Sequence, residues 1–197
     1  MYVVVHMKQT KESLNMAKVA EFLEEGFEEV EAITVIDILR RANVEVTTIS
    51  TMESDKVLGG HGIEVKADAL FGDVKYEEYD MLFLPGGGLG FKNLKAHKGL
   101  AALLLKFNGE EKFITAICGA PTVLGGLGIL KGKKATVYPG LESELEGAIC
   151  STDSVVRDGH IITSRGVGTA IDLGLKLVEI FAGAEASKAL GKSIVYL

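Results

Sequence analysis

At 197 residues the chain is long enough for one well-buried core and short for two domains. Hydrophobic residues make up 47%, which argues against disorder, and a net charge of -6 with a pI near 5.3 disfavours nucleic acid or an anionic membrane as partner. No apolar run approaches the ~20 residues needed to span a bilayer, and Tyr2 to Val5 is far too short for a signal-peptide core, so a cytoplasmic protein is expected.

Residues 1–15 stand apart. Tyr2 to Val5 could form a short strand, but residues 8–15 are polar and lack apolar periodicity, so 1–15 reads as an N-terminal extension and 16–197 as a single domain. The first strand of that domain is predicted over Lys18–Leu23, turning at Gly26. A helix over residues 28–42 follows, with Ala32, Val35, Ile36 and Leu39 on one face. Glu28 and Glu29 suit its start, and Arg40 and Arg41 its end. Residues 44–50 form the second predicted strand, and Gly59, Gly60 and Gly62 turn the chain into a short strand over 63–67. Met81–Leu84 is a fully apolar strand, broken by Pro85 and three glycines. An amphipathic helix over 98–107 leads to the strand Phe113–Ile117.

That strand runs straight into Cys118, Gly119, Ala120 and Pro121, and the proline suits the first turn of a helix. A cysteine on such a strand-to-helix turn has free N–H groups and a positive dipole end beside its sulfur, which lowers a thiol pKa. The competing reading is a buried structural cysteine. Beyond it come a strand over 135–138 ending at Pro139, one helical turn over 142–146, and strands over 154–157 and Ile161–Ser164 about an Asp158–Gly159 turn. Residues 166–182 read as a long helix with Ile171, Leu175, Val178 and Ala182 on one stripe. A shorter helix over 185–192 precedes an apolar tail, 193–197, expected to dock.

Apolar strands alternating with helices imply an α/β fold: a mostly parallel central sheet with helices on both faces. Ligands of such sheets bind beyond the carboxyl ends of the strands, where Gly26, the glycines 86–88 and Cys118 all fall. Nucleotide motifs fail. The run from Gly86 to Phe91 lacks the last glycine of a dinucleotide fingerprint. Gly191, Lys192 and Ser193 follow a helix, with Ala186 where a phosphate loop needs its first glycine. Cys118 and Cys150 make neither a disulfide framework nor a zinc spacing, and His6, His61, His97 and His160 show no paired spacing, so no metal site is expected. Glu21 is anomalous, because a strand of such a sheet is apolar on both faces. Either it is neutral and hydrogen-bonded, or its strand is less buried than the pattern implies.

The segments Gly26 to Glu31, Leu84 to Gly87, Ala116 to Pro121 and Thr163 to Gly166, in this order, resemble the ThiJ/PfpI (DJ-one) superfamily, over about residues 16–197. The likeness is to the branch holding the parkinsonism-associated protein and bacterial YajL. It implies a flavodoxin-like three-layer sandwich of the class I glutamine amidotransferase-like type, with a nucleophile elbow at Cys118. By the same resemblance Cys118 matches the reactive, oxidation-sensitive cysteine, and Glu31 the protonated acid that contacts its sulfur. Gly87 and Gly119 match the oxyanion donors. Tyr138 stands where many members carry a histidine, so a Cys–His dyad is not expected, and His61 stands where a relative carries an arginine. Cys150 has no assigned role.

The function implied is a cofactor-independent, metal-free cysteine enzyme acting on small dicarbonyls or early glycated amines, of glyoxalase III or deglycase type. The alternative is an oxidative-stress sensor or chaperone working through Cys118 oxidation. Thiazole-phosphate biosynthesis and intracellular peptidase activity find no supporting phosphate site or complete triad. A homodimer is implied, with the helix after Gly26 near the contact.

Overall fold

The computed structural model describes residues 16–197, so the expected N-terminal extension, 1–15, lies outside the described residues. The chain runs β1 (Lys18–Leu23), α1 (Glu29–Arg41), β2 (Glu45–Ser50), β3 (Lys56–Leu58), β4 (Glu64–Lys66), β5 (Ala69–Leu70) and β6 (Met81–Leu84). It continues through α2 (Gly90–Ala96), α3 (Lys98–Gly109), β7 (Phe113–Ile117), α4 (Pro121–Gly126), β8 (Lys134–Ala135) and β9 (Ile149–Cys150). It closes with β10 (Val155–Asp158), β11 (Ile161–Ser164), α5 (Ala170–Ala182) and α6 (Ala184–Ser193).

Seven strands form one sheet in the order β10-β11-β7-β6-β1-β2-β5, parallel throughout except for the antiparallel pair β10 and β11. Successive side chains of a strand point to opposite faces, and here both faces are covered. Ala20, Phe22, Leu82, Leu84, Ile114 and Ala116 pack with Leu94 and Leu100 to Phe107 of α2 and α3 on one side. Val19, Met81, Phe83, Ile117 and Ile162 pack with Val35, Ile38, Leu39, Leu173 and Leu177 of α1 and α5 on the other. Gly174 lets α5 approach α1, since a Cβ there would lie 2.8 Å from Ile38 Cδ1. This is the flavodoxin-like three-layer arrangement.

Two expectations need correction. The predicted strand over 135–138 stops at Ala135 and pairs with β9 in a separate two-stranded sheet. Beyond it the Thr136 N–H donates to Thr163 Oγ1 (2.9 Å) and the Tyr138 N–H to the Cys118 carbonyl (2.8 Å), so the segment serves the site and not a ladder. The strand predicted over 63–67 is present as β4, in a hairpin with β3 outside the main sheet. The long helix begins only at Ala170, after a 3₁₀ turn over Val167–Thr169. The apolar tail docks as expected: Ile194 packs on the core, the Leu197 side chain lies against Gly191, and the Tyr196 hydroxyl donates to Asp172 Oδ1 (2.6 Å), with Val195 alone left 91% exposed.

Glu21 satisfies neither of its two expectations. It is fully buried in the sheet, opposite Thr48 and Phe83, and neither carboxyl oxygen has a hydrogen-bond partner among the described residues. Burial holds its pKa well above the ordinary 4.5, with Arg40 opposing weakly. The unfolded chain ionises at the ordinary value while the folded one resists, so Glu21 makes stability fall as pH rises above 4.5. Glu21→Val is expected to stabilise the protein by roughly 1–3 kcal/mol at neutral pH and to flatten that decline, measured by urea unfolding from acid to mildly alkaline pH.

Candidate active site

β7 ends at Ile117, and the next residue reverses the chain. Cys118 has φ 64, a left-handed conformation that costs a non-glycine residue about 1–3 kcal/mol. Two hydrogen bonds fix it: its N–H donates to the Ser164 carbonyl at the end of β11 (3.0 Å), and its carbonyl accepts from the Tyr138 N–H. Pro121 then opens α4 as expected, but that helix has only six residues.

The loop after β6 meets this turn. The N–H groups of Gly87 and Gly119 both point at the Cys118 sulfur. Glu31, on the first turn of α1, is fully buried and hydrogen-bonded to the same sulfur. Its Oε2 accepts from the Gly86 N–H at 2.8 Å, while its Oε1 has no partner among the described residues. Glycine is required at two of these positions. A Cβ on Gly86 would lie 2.6 Å from both Cys118 Cβ and Glu31 Oε2. One on Gly87, whose φ is 100, would overlap the Gly26 carbonyl and the backbone of Glu28.

Burial raises the Glu31 pKa to about 7, against the opposing hydrogen bonds from Gly86 and Cys118. The thiol departs from the expectation of a lowered pKa. Burial first, and then the Glu31 charge and hydrogen bond, push it up to about 12 against the Gly119 and Gly87 donors. A short helix and two N–H groups do not offset a neighbouring carboxylate in a half-buried site. Below about 7 both groups therefore hold a proton, and above it the pair keeps one, on the sulfur, with Glu31 ionised beside it.

The sulfur opens into a cleft of about 740 Å³, lined by Phe91, Tyr138, Pro139, Leu141 and Val167 with Glu28, Lys92, Lys95 and Glu144. Tyr138 is 52% exposed, and its ring lies against Gly166 at the cleft wall. His61 is 70% exposed, and its Nδ1 lies 2.8 Å from Glu29 Oε2 and 3.5 Å from Glu28. Its pKa is raised by the Glu29 hydrogen bond. Ligand atoms of Glu28, Glu29 and His61 fall within 4.8 Å of one another, but the buried Glu29 carboxylate is already taken by the His61 ring and by the N–H groups of His61 and Ile63. Cys150 is exposed on β9, its sulfur 3.7 Å from the Glu142 carbonyl, and it does not line the cleft.

Sequence reasoning placed no role on Gly86, Phe91, Lys92, Lys95, Leu141 or Glu144. The glycine triplet at 86–88 was a signal for the first, since only a close backbone approach needs glycines in succession. Nothing in the pattern marks the others.

The profile of the DJ-1/PfpI family matches residues 17–180. The chain belongs to the DJ-1/PfpI family. The chain is 36% identical to protein dj-1beta of Drosophila melanogaster over 86% of this chain and 92% of that protein. It is 34% identical to a deglycase of Pyrococcus horikoshii over 71% of this chain and 84% of that one. Against the Arabidopsis thaliana DJ-1 homologs B and A it is 37% and 40% identical over 86% and 81% of this chain, spanning only 39% and 42% of their lengths. The solved structure of oxidized Toxoplasma gondii DJ-1 superposes with a TM-score of 0.88 at 34% identity, over 91% of this chain and 98% of that one. Drosophila DJ-1beta gives 0.87 at 32%, over 92% and 99%. Among the described residues no helix is long and apolar enough to cross a membrane.

Gly87→Ala is expected to cost about 3 kcal/mol or more, from the left-handed backbone and the clash with backbone atoms that cannot move aside. Thermal unfolding of that variant beside Gly88→Ala, where a Cβ meets nothing within 4 Å, checks this.

Proposed function

We propose that this protein is a cofactor-independent thiol enzyme that converts reactive dicarbonyls, or the early adducts they form on amines, with Cys118 as nucleophile. One observation carries the reading: a buried carboxyl with a pKa near 7 is hydrogen-bonded to a sulfur that also faces two backbone N–H groups. The deglycase name of the Pyrococcus relative supports it.

The chemistry follows from the one-proton state, with the thiol protonated and Glu31 ionised beside it. As an aldehyde enters, the thiol sulfur bonds to its carbon, and the thiol proton passes by way of Glu31 to the carbonyl oxygen, giving a hemithioacetal. The Gly87 and Gly119 N–H groups stabilise the oxyanion as it forms. Glu31, ionised again, takes the proton on the carbon bonded to sulfur and returns it to the adjacent carbon. The hemithioacetal hydroxyl gives its proton to the neighbouring carbonyl oxygen, so its own carbon becomes the thioester carbonyl and the neighbouring oxygen becomes a hydroxyl. Water then cleaves the thioester, freeing the thiol and lactate from methylglyoxal, or glycolate from glyoxal. The net change is addition of one water. Tyr138 donates a hydrogen bond to the substrate from the cleft wall.

The rival reading is oxidation sensing, favoured by a relative whose solved structure is described as oxidized. Peroxide treatment followed by mass spectrometry separates the two: selective double oxygenation of Cys118 with background dicarbonyl turnover would favour the sensor.

A homodimer belongs to the same proposal. Val30 and Ile33 of α1 are 49% and 43% exposed, beside the apolar Leu58 and Ile63 of the hairpin. Ile33→Glu is expected to yield a monomer by light scattering.

Lactate release from methylglyoxal should vanish in Cys118→Ser, and comparable turnover in the two would sink the assignment. Glu31→Gln should lose about 10²–10⁴-fold. In wild type kcat/KM should rise as pH passes upward through about 7, where the pair loses its first proton. The glutamine variant should lack that limb.

A further inference from the structure

The cleft is much larger than a three-carbon dicarbonyl. Clefts of this volume typically enclose drug-sized ligands, so such a substrate covers the floor around Cys118 and leaves the walls untouched. Four charged side chains line those walls. Lys95 is held by Glu144 at 2.8 Å, and Glu28 faces the His61 ring at 3.5 Å. Lys92 has no carboxylate partner within ion-pair distance among the described residues. Its Nζ stands 6.0 Å from the centroid of the Phe91 ring. That ring in turn lies so close to Gly119 that a Cβ there could not be accommodated, and the Gly119 N–H faces the sulfur. The sulfur, an aromatic plate and an unneutralised ammonium are thus stacked outward along one wall.

We propose that Lys92 is a specificity residue that selects α-ketoaldehydes carrying an anionic group at the far end of a short chain. The aldehyde reaches Cys118, the chain lies over Phe91, and the terminal anion pairs with the Lys92 ammonium. This deepens the thiol reading and rests on it. A cation at the mouth of a cleft with apolar walls acts in a reduced dielectric, which strengthens a single charge pair. Glu28 across the cleft repels an anion seated elsewhere.

The test compares dioxovalerate, an α-ketoaldehyde ending in a carboxylate, with its methyl ester. Wild type is expected to favour the acid by about tenfold in kcat/KM, the effect of one charge-assisted contact. Lys92→Gln should abolish the preference, Lys92→Glu should invert it, Lys92→Arg should keep it, and raising salt should shrink it. A second readout needs no turnover: levulinate, a ketoacid without the aldehyde, should protect Cys118 from iodoacetamide in wild type and not in Lys92→Gln, measured in a Cys150→Ser background. Cys118-dependent turnover with equal use of acid and ester would overturn the Lys92 assignment. Lysine-dependent protection without Cys118-dependent turnover would overturn the thiol enzyme and leave the anion subsite standing. Loss of both would remove both.

Discussion

The left-handed backbone at Cys118 is the constraint on which the rest of the site depends. A strand that simply continued would bury the sulfur in the sheet, and one that bent smoothly into a helix would carry it away from β6. The turn costs about 1–3 kcal/mol, and it persists because β11 and the segment before Pro139 grip the residue on both sides through its N–H and its carbonyl. Those grips in turn explain why β8 is so short. The chain after Ala135 gives up ladder pairing in order to supply the Tyr138 N–H.

Glu21 and Glu31 show how burial is used and merely borne within one molecule. Both carboxyls are fully buried, and desolvation raises both pKa values. Glu31 has a backbone N–H on one oxygen and a sulfur within hydrogen-bond reach, so its proton has somewhere to go and a value near neutrality at which to go there. Glu21 has neither, and its ionisation is only a cost. Desolvation supplies the shift in each case; the neighbours decide whether the shift does chemistry.

Much of this was legible in the sequence, for physical reasons. The strands Lys18–Leu23, Met81–Leu84 and Phe113–Ile117 are short apolar runs closed by glycine, proline or cysteine, and the stripe of α1 has a clear helical period. The elbow was visible because a cysteine before Gly-Ala-Pro is a local signal. Glu31 was not: 87 residues separate it from Cys118, and only the family resemblance pointed to it. The hairpin strand Lys56–Leu58 and the helix Gly90–Ala96 escaped, one being three residues long and the other opening on glycine. The thiol pKa was misjudged because a sequence shows a helix start but not the carboxylate packed beside it.

The ends of the main sheet have a further consequence. One edge strand, Ala69–Leu70, is two residues long, and the other, Val155–Asp158, is antiparallel and carries Arg157 and Asp158. Short or charged edges offer little template for pairing with another chain. Among the described residues, neither end of the main sheet therefore presents a long, uncharged strand on which a neighbouring chain could add.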